Sequence, residues 1–288
     1  MPLIEIQEVS KVYGFGDATT LALDEVSLTV NKGEFVAVMG PSGSGKTTLM
    51  NLIGLLDRPS HGTYTLENRH VARLRATQQA KLRRDRIGFV FQFYNLLPRL
   101  NVLENVALPL AYRGMAPVRR NKKAGDMLER VGLLEREYFF PRQLSGGQAQ
   151  RAAIARALIN EPRILIADEP TGNLDSHDSR VVMELLADIH RQGNTVLLVT
   201  HNPELTRYAQ RVIYMHDGMI IGDEKSAIGR VAKRAKIRYY RRRRTTTDDI
   251  AAGVSAMMHD IPGKETTSTT KSRKLMSKRK RRAKRKVK

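Results

Sequence analysis

Along the first 222 positions, short apolar runs alternate with amphipathic stretches of helical period. Leu3 to Val9, Ala22 to Val30 and Phe35 to Met39 read as early strands, and Arg163 to Ala167, Thr195 to Thr200 and Arg211 to Met215 as later ones. These runs are rich in Val, Ile and Leu and end in Gly, Pro or Asn, the residues that stop strands. With helical patterns between many of them, the layout predicts an α/β fold. From about Asn101 to Asn160 the pattern is mostly helical, through ENVALPLAYRG, NKKAGDMLERVGLL and GQAQRAAIARALIN. A helical subdomain, about 93–161, is therefore expected as an insertion between core strands. There is no internal repeat. The longest apolar runs are strand-sized, well short of the roughly 18–20 residues that a spanning helix needs, so the chain is not expected to cross a bilayer by itself.

Charge divides the chain sharply. The formal net charge is +21 over 288 residues, but 223–288 hold 23 Lys plus Arg against 6 Asp plus Glu, while 1–222 hold 27 against 23. The near-neutral body is read as one domain, 1–222, and 223–288 as a basic tail. That tail contains RRRR, a Thr/Ser-rich segment and KRKRRAKRKVK. Such compositions bury too little apolar surface to offset chain entropy, so most of the tail is expected to be disordered. Two short exceptions are a basic amphipathic helix over Ile228 to Tyr240, and a helical spacing of Ile250, Val254, Met257, Met258 and Ile261. There is no cysteine, which excludes disulfides and thiolate chemistry. The opening MPLIEIQEVSK has neither a basic leader nor an apolar signal core, so a cytosolic location is expected.

Three motifs carry chemistry. Gly40-Pro41-Ser42-Gly43-Ser44-Gly45-Lys46-Thr47 follows an apolar strand and opens an amphipathic stretch through Leu49, Leu52 and Ile53. In that context the backbone N–H groups at a helix start form an anion cradle. The glycines admit phosphate, the lysine reaches terminal phosphates and the threonine can ligate Mg²⁺. Next, Ile164 to Ala167 form a buried-looking strand that delivers Asp168 and Glu169 at its end. Asp168 suits a Mg²⁺ contact, and Glu169 can orient or deprotonate an attacking water. Third, Leu144-Ser145-Gly146-Gly147-Gln148 precedes a helix through Arg151, Ile154 and Leu158 and makes a second anion-binding helix start, without a lysine. Either the fold brings both helix starts to one phosphate group, or each serves the nucleotide of a second copy.

With these residues in order, the chain resembles the nucleotide-binding subunit of an ABC transporter over about Leu3 to Gly222. The family pattern is matched by GPSGSGKT, Gln92 in GFVFQ, LSGGQ, ILIADEP and His201 in LLVTH. The resemblance implies a P-loop NTPase of ABC type with an inserted helical subdomain and a small antiparallel β subdomain. It implies ATP and Mg²⁺ as ligands, with Thr48 joining the phosphate loop. Tyr13 is then expected to stack on adenine, and His201 to contact the γ-phosphate. Gln92 would contact Mg²⁺ or water and relay to a membrane partner. Asn173, Leu174 and Asp175 would lie across a dimer seam, where Ser145 to Gln148 of one copy complete the site of the other.

Finer likeness comes from NLIGLLDRPSHGTY, FVFQFYNLLPRLNVLENVALPL and DEPTGNLDS, which resemble the branch for lipoprotein release, macrolide-type export and related mechanotransmission. That branch implies a homodimer bound at the cytoplasmic face of the membrane, driving a separate permease. Phe93, His61 and Ala149 depart from the usual pattern without touching phosphate chemistry. The basic tail suits contact with anionic lipid. It equally raises an alternative, an ABC-type ATPase acting on nucleic acid or ribosomes. Against that alternative stand the lack of a second nucleotide-binding repeat, of a long interrupting coiled coil and of a zinc-type cysteine cluster.

Overall fold

The computed structural model describes residues 2–14 and 19–225. The two helices expected within 226–288, and the disorder expected of that tail, lie outside the described residues.

In chain order the elements are β1 (Pro2–Tyr13), β2 (Thr20–Asn31), β3 (Phe35–Met39), α1 (Lys46–Ile53), β4 (His61–Leu66), β5 (Arg69–His70), α2 (Ala76–Arg86) and β6 (Ile87–Val90). There follow α3 (Val102–Tyr112), α4 (Pro117–Arg130), α5 (Gly146–Leu158), β7 (Ile164–Asp168), α6 (Ser176–Arg191), β8 (Thr195–Val199), β9 (Arg211–His216) and β10 (Met219–Lys225). They build two sheets. One is antiparallel, ordered β2-β1-β4-β5; the other has six strands, ordered β10-β9-β3-β8-β7-β6, parallel except at β10.

The strands β3 and β8 are buried at every position and, but for Thr195 at the start of β8, apolar throughout, because helices or the other sheet cover both faces of the six-stranded sheet. One face packs Phe35, Ala37, Leu165 and Leu198 against the helices α3, α4, α5 and α6. The opposite face packs Val36, Val38, Ile166 and Leu197 against α1 and the antiparallel sheet. The alternation of these side chains along each strand is the period-two pattern of the sequence, doubled because both faces are covered.

Register then sets the site. Val38 of β3 pairs with Val199 of β8, and Val199 pairs with Asp168 of β7, so the carboxyl ends of three adjacent strands are level. Ala167 pairs with Val90, which puts the end of β6 beside them. Ligands of open α/β sheets bind outside the carboxyl ends of such strands.

Strand pairing in β10 continues to Lys225, past Gly222 where the composition changes. Asp223 on this segment holds Arg211 of β9 through two contacts, of 2.6 and 2.5 Å, while Arg211 also reaches Thr29 O at 2.8 Å. A chain ending at Gly222 is expected to melt about 2–6 °C below one ending at Lys225. Equal melting temperatures in scanning calorimetry would show that this terminal pairing adds nothing.

Candidate functional site

The phosphate loop runs from the end of β3 into α1. Gly45 caps α1 with φ 92°; among the described residues no side chain caps this helix start, and the first turn contains no acidic residue. A Cβ on Gly45 would lie 2.7 Å from Ala22 O, so the left-handed turn and the close approach of β2 both require glycine. What remains is a set of backbone donors without intrahelical partners, at the positive end of a helix dipole. Ser44 is buried, Thr47 is exposed at the same turn, and Pro41, Ser42 and Gly43 form its open rim.

Lys46 is only 8% exposed. Its ammonium is folded onto the loop's own carbonyls, Gly40 O at 2.8 Å and Pro41 O at 2.7 Å. Burial lowers its pKa, while the charges of Glu169 and Asp168 oppose that shift. Asp168 shifts the other way: burial and the neighbouring Glu169 raise its pKa, against the pull of Lys46. Lys46, Asp168 and Glu169 therefore share one poorly solvated site at the ends of β3 and β7.

Glu169 has φ 46°, a left-handed conformation that is strained for a side chain of its size. Its backbone is tied by its N–H to Val199 O at 2.9 Å and by the Gly172 N–H donating to its carbonyl at 3.0 Å. Its side chain is tied as well. Oε1 accepts from the His201 N–H at 3.0 Å and pairs with His201 Nδ1 at 2.7 Å, and Oε2 accepts from the Thr200 hydroxyl at 3.3 Å. A carboxylate has about four acceptor positions, so three partners leave one, on Oε2. Glu169 is 18% exposed and the His201 side chain 72%. A proton on Nδ1 serves that contact, so His201 offers a phosphate oxygen a donor through Nε2 only as the imidazolium, or after releasing Glu169.

Tyr13 ends β1 and is 40% exposed. Its hydroxyl donates to Asp57 at 2.8 Å, the Thr48 side chain also reaches it, and Lys11 lies 4.7 Å from its ring centroid. These contacts stand the ring beside the first turn of α1. Gln92, just past β6, lies against the turn that follows β7. Its Nε2 donates to Asn173 Oδ1 at 3.4 Å, Asn173 Nδ2 donates back to Gln92 O at 3.2 Å, and a Cβ on Gly172 would lie 2.6 Å from Gln92 Nε2.

The signature turn has other neighbours. Ser145 caps α5, accepting from Gln148 N at 3.2 Å while Gln148 Oε1 accepts from Ser145 N at 3.0 Å. Gly147 N donates to Asp178 Oδ2 at 3.1 Å, and a Cβ on Gly147 would run into that carboxylate. A Cβ on Gly146 would meet the hydroxyl of Tyr94 and a methyl of Leu174. Asp175 caps α6, accepting from Asp178 N at 2.7 Å. Thus Lys46, Asp168, Glu169 and His201 are brought together, with Tyr13 beside their loop. Ser145 to Gln148 and Asp175 instead meet one another's surroundings at the starts of α5 and α6.

The donor set fits nucleotide and magnesium. Among the described residues no three His, Cys, Asp or Glu side chains are placed to hold a metal ion. Thr47, Asp168 and Gln92 fall short of a complete cage for magnesium, which is commonly held by one or two carboxylates together with substrate phosphates and water. The sequence reading missed Gln150 and Asp178. Gln150 was detectable, because it shares a helical face with Ala153 and Ile154, where the period requires an apolar residue.

Comparison with known proteins agrees. The profile of the ABC transporter family matches residues 23–172. The chain is 46% identical over 226 residues to the uncharacterized ABC transporter ATP-binding protein YvrO of Bacillus subtilis, covering 78% of this chain and 99% of that protein. It is 46% identical over 253 residues to a macrolide export ATP-binding/permease protein of Hyphomonas neptunium, covering 88% of this chain but spanning only 39% of the relative. Among solved structures, a dimeric post-hydrolysis state of the ATP-binding cassette MJ0796 bound to ADP and Pi superposes with a TM-score of 0.72. The two are 44% identical, covering 77% of this chain and 98% of that one. On the motifs, the geometry and this likeness together, the chain belongs to the ABC transporter family, as an ATP-binding subunit that hydrolyses ATP.

Proposed function

We propose that two copies of this chain close over two molecules of ATP, and that closing and reopening drive a membrane permease carried on a separate chain. The observation that carries this reading is the division of phosphate chemistry within one subunit. Lys46, Asp168 and Glu169 share one site, whereas Ser145 and Gly147 start α5 among Tyr94, Leu174 and Asp178. A second copy would supply the signature turn that the phosphate loop lacks. A solved cassette of which this chain covers 98% is itself described as dimeric, which supports the same arrangement.

In this reading Gly40, Gly43, Gly45 and Thr48 belong to the loop that wraps the phosphates, and Lys46 leaves its carbonyls for the terminal phosphate. Thr47, Asp168 and Gln92 would hold magnesium, which when bound offsets the negative charge of the β- and γ-phosphates. Glu169 uses its remaining Oε2 position to accept a proton from the attacking water, while Thr200 and His201 keep the carboxylate aimed. Tyr13 stacks on adenine, and Asp175 lies at the seam. Binding energy becomes closure because only the paired state has both halves of the site.

The work is proposed to be lipoprotein release, macrolide-type export or related mechanotransmission, on the strength of the macrolide-export relatives. Among the described residues no helix is long and apolar enough to cross a membrane. The chain is proposed to act at the cytoplasmic face, with 1–222 as the ATPase domain, about 93–161 as its helical subdomain, and 223–288 as a basic tail near anionic lipid.

The test is assembly. With ATP and Mg²⁺, the Glu169→Gln protein is expected to elute as a dimer. Tagged wild-type protein from native membranes is expected to bring down a permease with a large extracytoplasmic domain. A chain that stays monomeric even beside its membrane partner would overturn the paired site, and recovery of ribosomes or DNA without a permease would overturn the transport reading.

A further inference from the structure

The amide of Gln150 joins the signature helix to the catalytic edge of its own subunit. Gln150 lies on α5, a little over one turn beyond Ser145, and is fully buried. Its Nε2 donates to Pro170 O at 2.7 Å and to Phe91 O at 3.2 Å. Pro170 directly follows Glu169, and Phe91 directly precedes Gln92. One nitrogen, with both hydrogens used, thus pins the backbone on the far side of each residue proposed to act on water and magnesium.

The orientation of this amide is set by its partners. Two carbonyl oxygens face it, so only the nitrogen can point toward them, and Oε1 is left buried without a hydrogen-bond partner among the described residues. An apolar side chain of similar length would remove that orphaned acceptor, but it would take from Pro170 O its amide partner and leave Phe91 O with the Tyr94 N–H at 3.3 Å. The contact also bears on strain. Glu169 sits at φ 46°, a conformation that persists only where its surroundings over-determine it, and the tie at Pro170 is one of the few on its carboxyl side.

We propose that Gln150 is a positioning residue for ATP hydrolysis, transmitting the placement of the signature helix to Glu169 and Gln92 through the carbonyls of Pro170 and Phe91. The inference rests on the paired-site reading, in which the start of α5 engages nucleotide held by a second copy. Any shift of α5 on that engagement reaches both carbonyls through a side chain packed too tightly to absorb it.

Gln150→Met keeps length and removes both donors. It is expected to lower kcat at least about tenfold while KM for ATP changes less than about threefold. Amide hydrogen exchange should quicken at 169–174 with little change in the melting temperature. In a Glu169→Gln background the same substitution should cost clearly less than it does in the wild type, because one of the two groups it positions is already gone and only the share acting through Gln92 remains. Gln150→Glu supplies a second reading. When protonated, its carboxyl still donates one bond, so its kcat relative to wild type should rise as pH falls. Unchanged kcat in Gln150→Met, a loss that adds in full to Glu169→Gln, or a flat pH ratio for Gln150→Glu would each overturn the proposal. If the wild-type protein hydrolyses ATP yet never pairs, the paired-site reading fails instead, and the kinetic tests of Gln150 against Glu169 still decide its local role.

Discussion

Glu169→Gln is expected to lower kcat for ATP by about 10²- to 10⁴-fold while leaving ATP affinity within a few-fold of wild type. The geometry explains why the loss should be so selective. Glutamine keeps an oxygen to accept from the His201 N–H, which Oε1 now does at 3.0 Å. The Thr200 hydroxyl, 3.3 Å from Oε2, can rotate to accept from the new amide instead of donating. The turn with φ 46° at position 169 is therefore retained. What is lost is the one remaining oxygen site able to take a proton from water. Single-turnover measurement with radiolabelled ATP separates the effects; a variant hydrolysing within a few-fold of wild type would remove Glu169 from the proton transfer.

Lys46→Ala should fail at an earlier step. The ammonium is buried and held by loop carbonyls at 2.8 and 2.7 Å and, more loosely, by Ser44 Oγ at 3.5 Å, contacts that an incoming phosphate can replace with a stronger, charge-assisted one. Losing such a contact costs about 1.5–3 kcal/mol, or about 10- to 150-fold in affinity. The expected outcome is a right-shifted titration with a fluorescent ATP analogue, and a melting temperature that nucleotide no longer raises. Ligand-free stability should change little, because Pro41 O keeps its bond from the Ser44 N–H at 3.2 Å and Gly40 O borders the exposed rim of the loop. Unaltered ATP affinity would show that the backbone cradle alone supplies the binding.

Both variants act on residues whose chemistry is legible in the sequence alone. The loop at 40–47, the acidic pair at 168–169 and the turn at 145–148 are local objects, because each needs only a strand end, a helix start and a few neighbouring side chains. Their hydrogen-bond capacity and charge follow from residue identity and spacing. The strands β3, β7 and β8 were legible for the same reason: burial on both faces demands continuous apolar runs. The strands β4 and β10 were not, since His61–Leu66 and Met219–Lys225 carry exposed and half-exposed positions and are held as strands by pairing with β1 and β9. The helix α2 was equally silent, its charged sequence showing almost no apolar face.

Residue order thus specified the chemical parts: a phosphate cradle with its lysine, two carboxylates, a histidine after an apolar strand, and a second helix start with no lysine. The tertiary structure decided their company. Level pairing of Val38, Val199 and Asp168 across three strands sets Glu169 against His201. Helix packing buries Gln150 between Phe91 and Pro170. It also turns Gly147 toward Asp178. Such contacts join positions tens of residues apart through strand register and side-chain packing, and no local pattern in the chain encodes either.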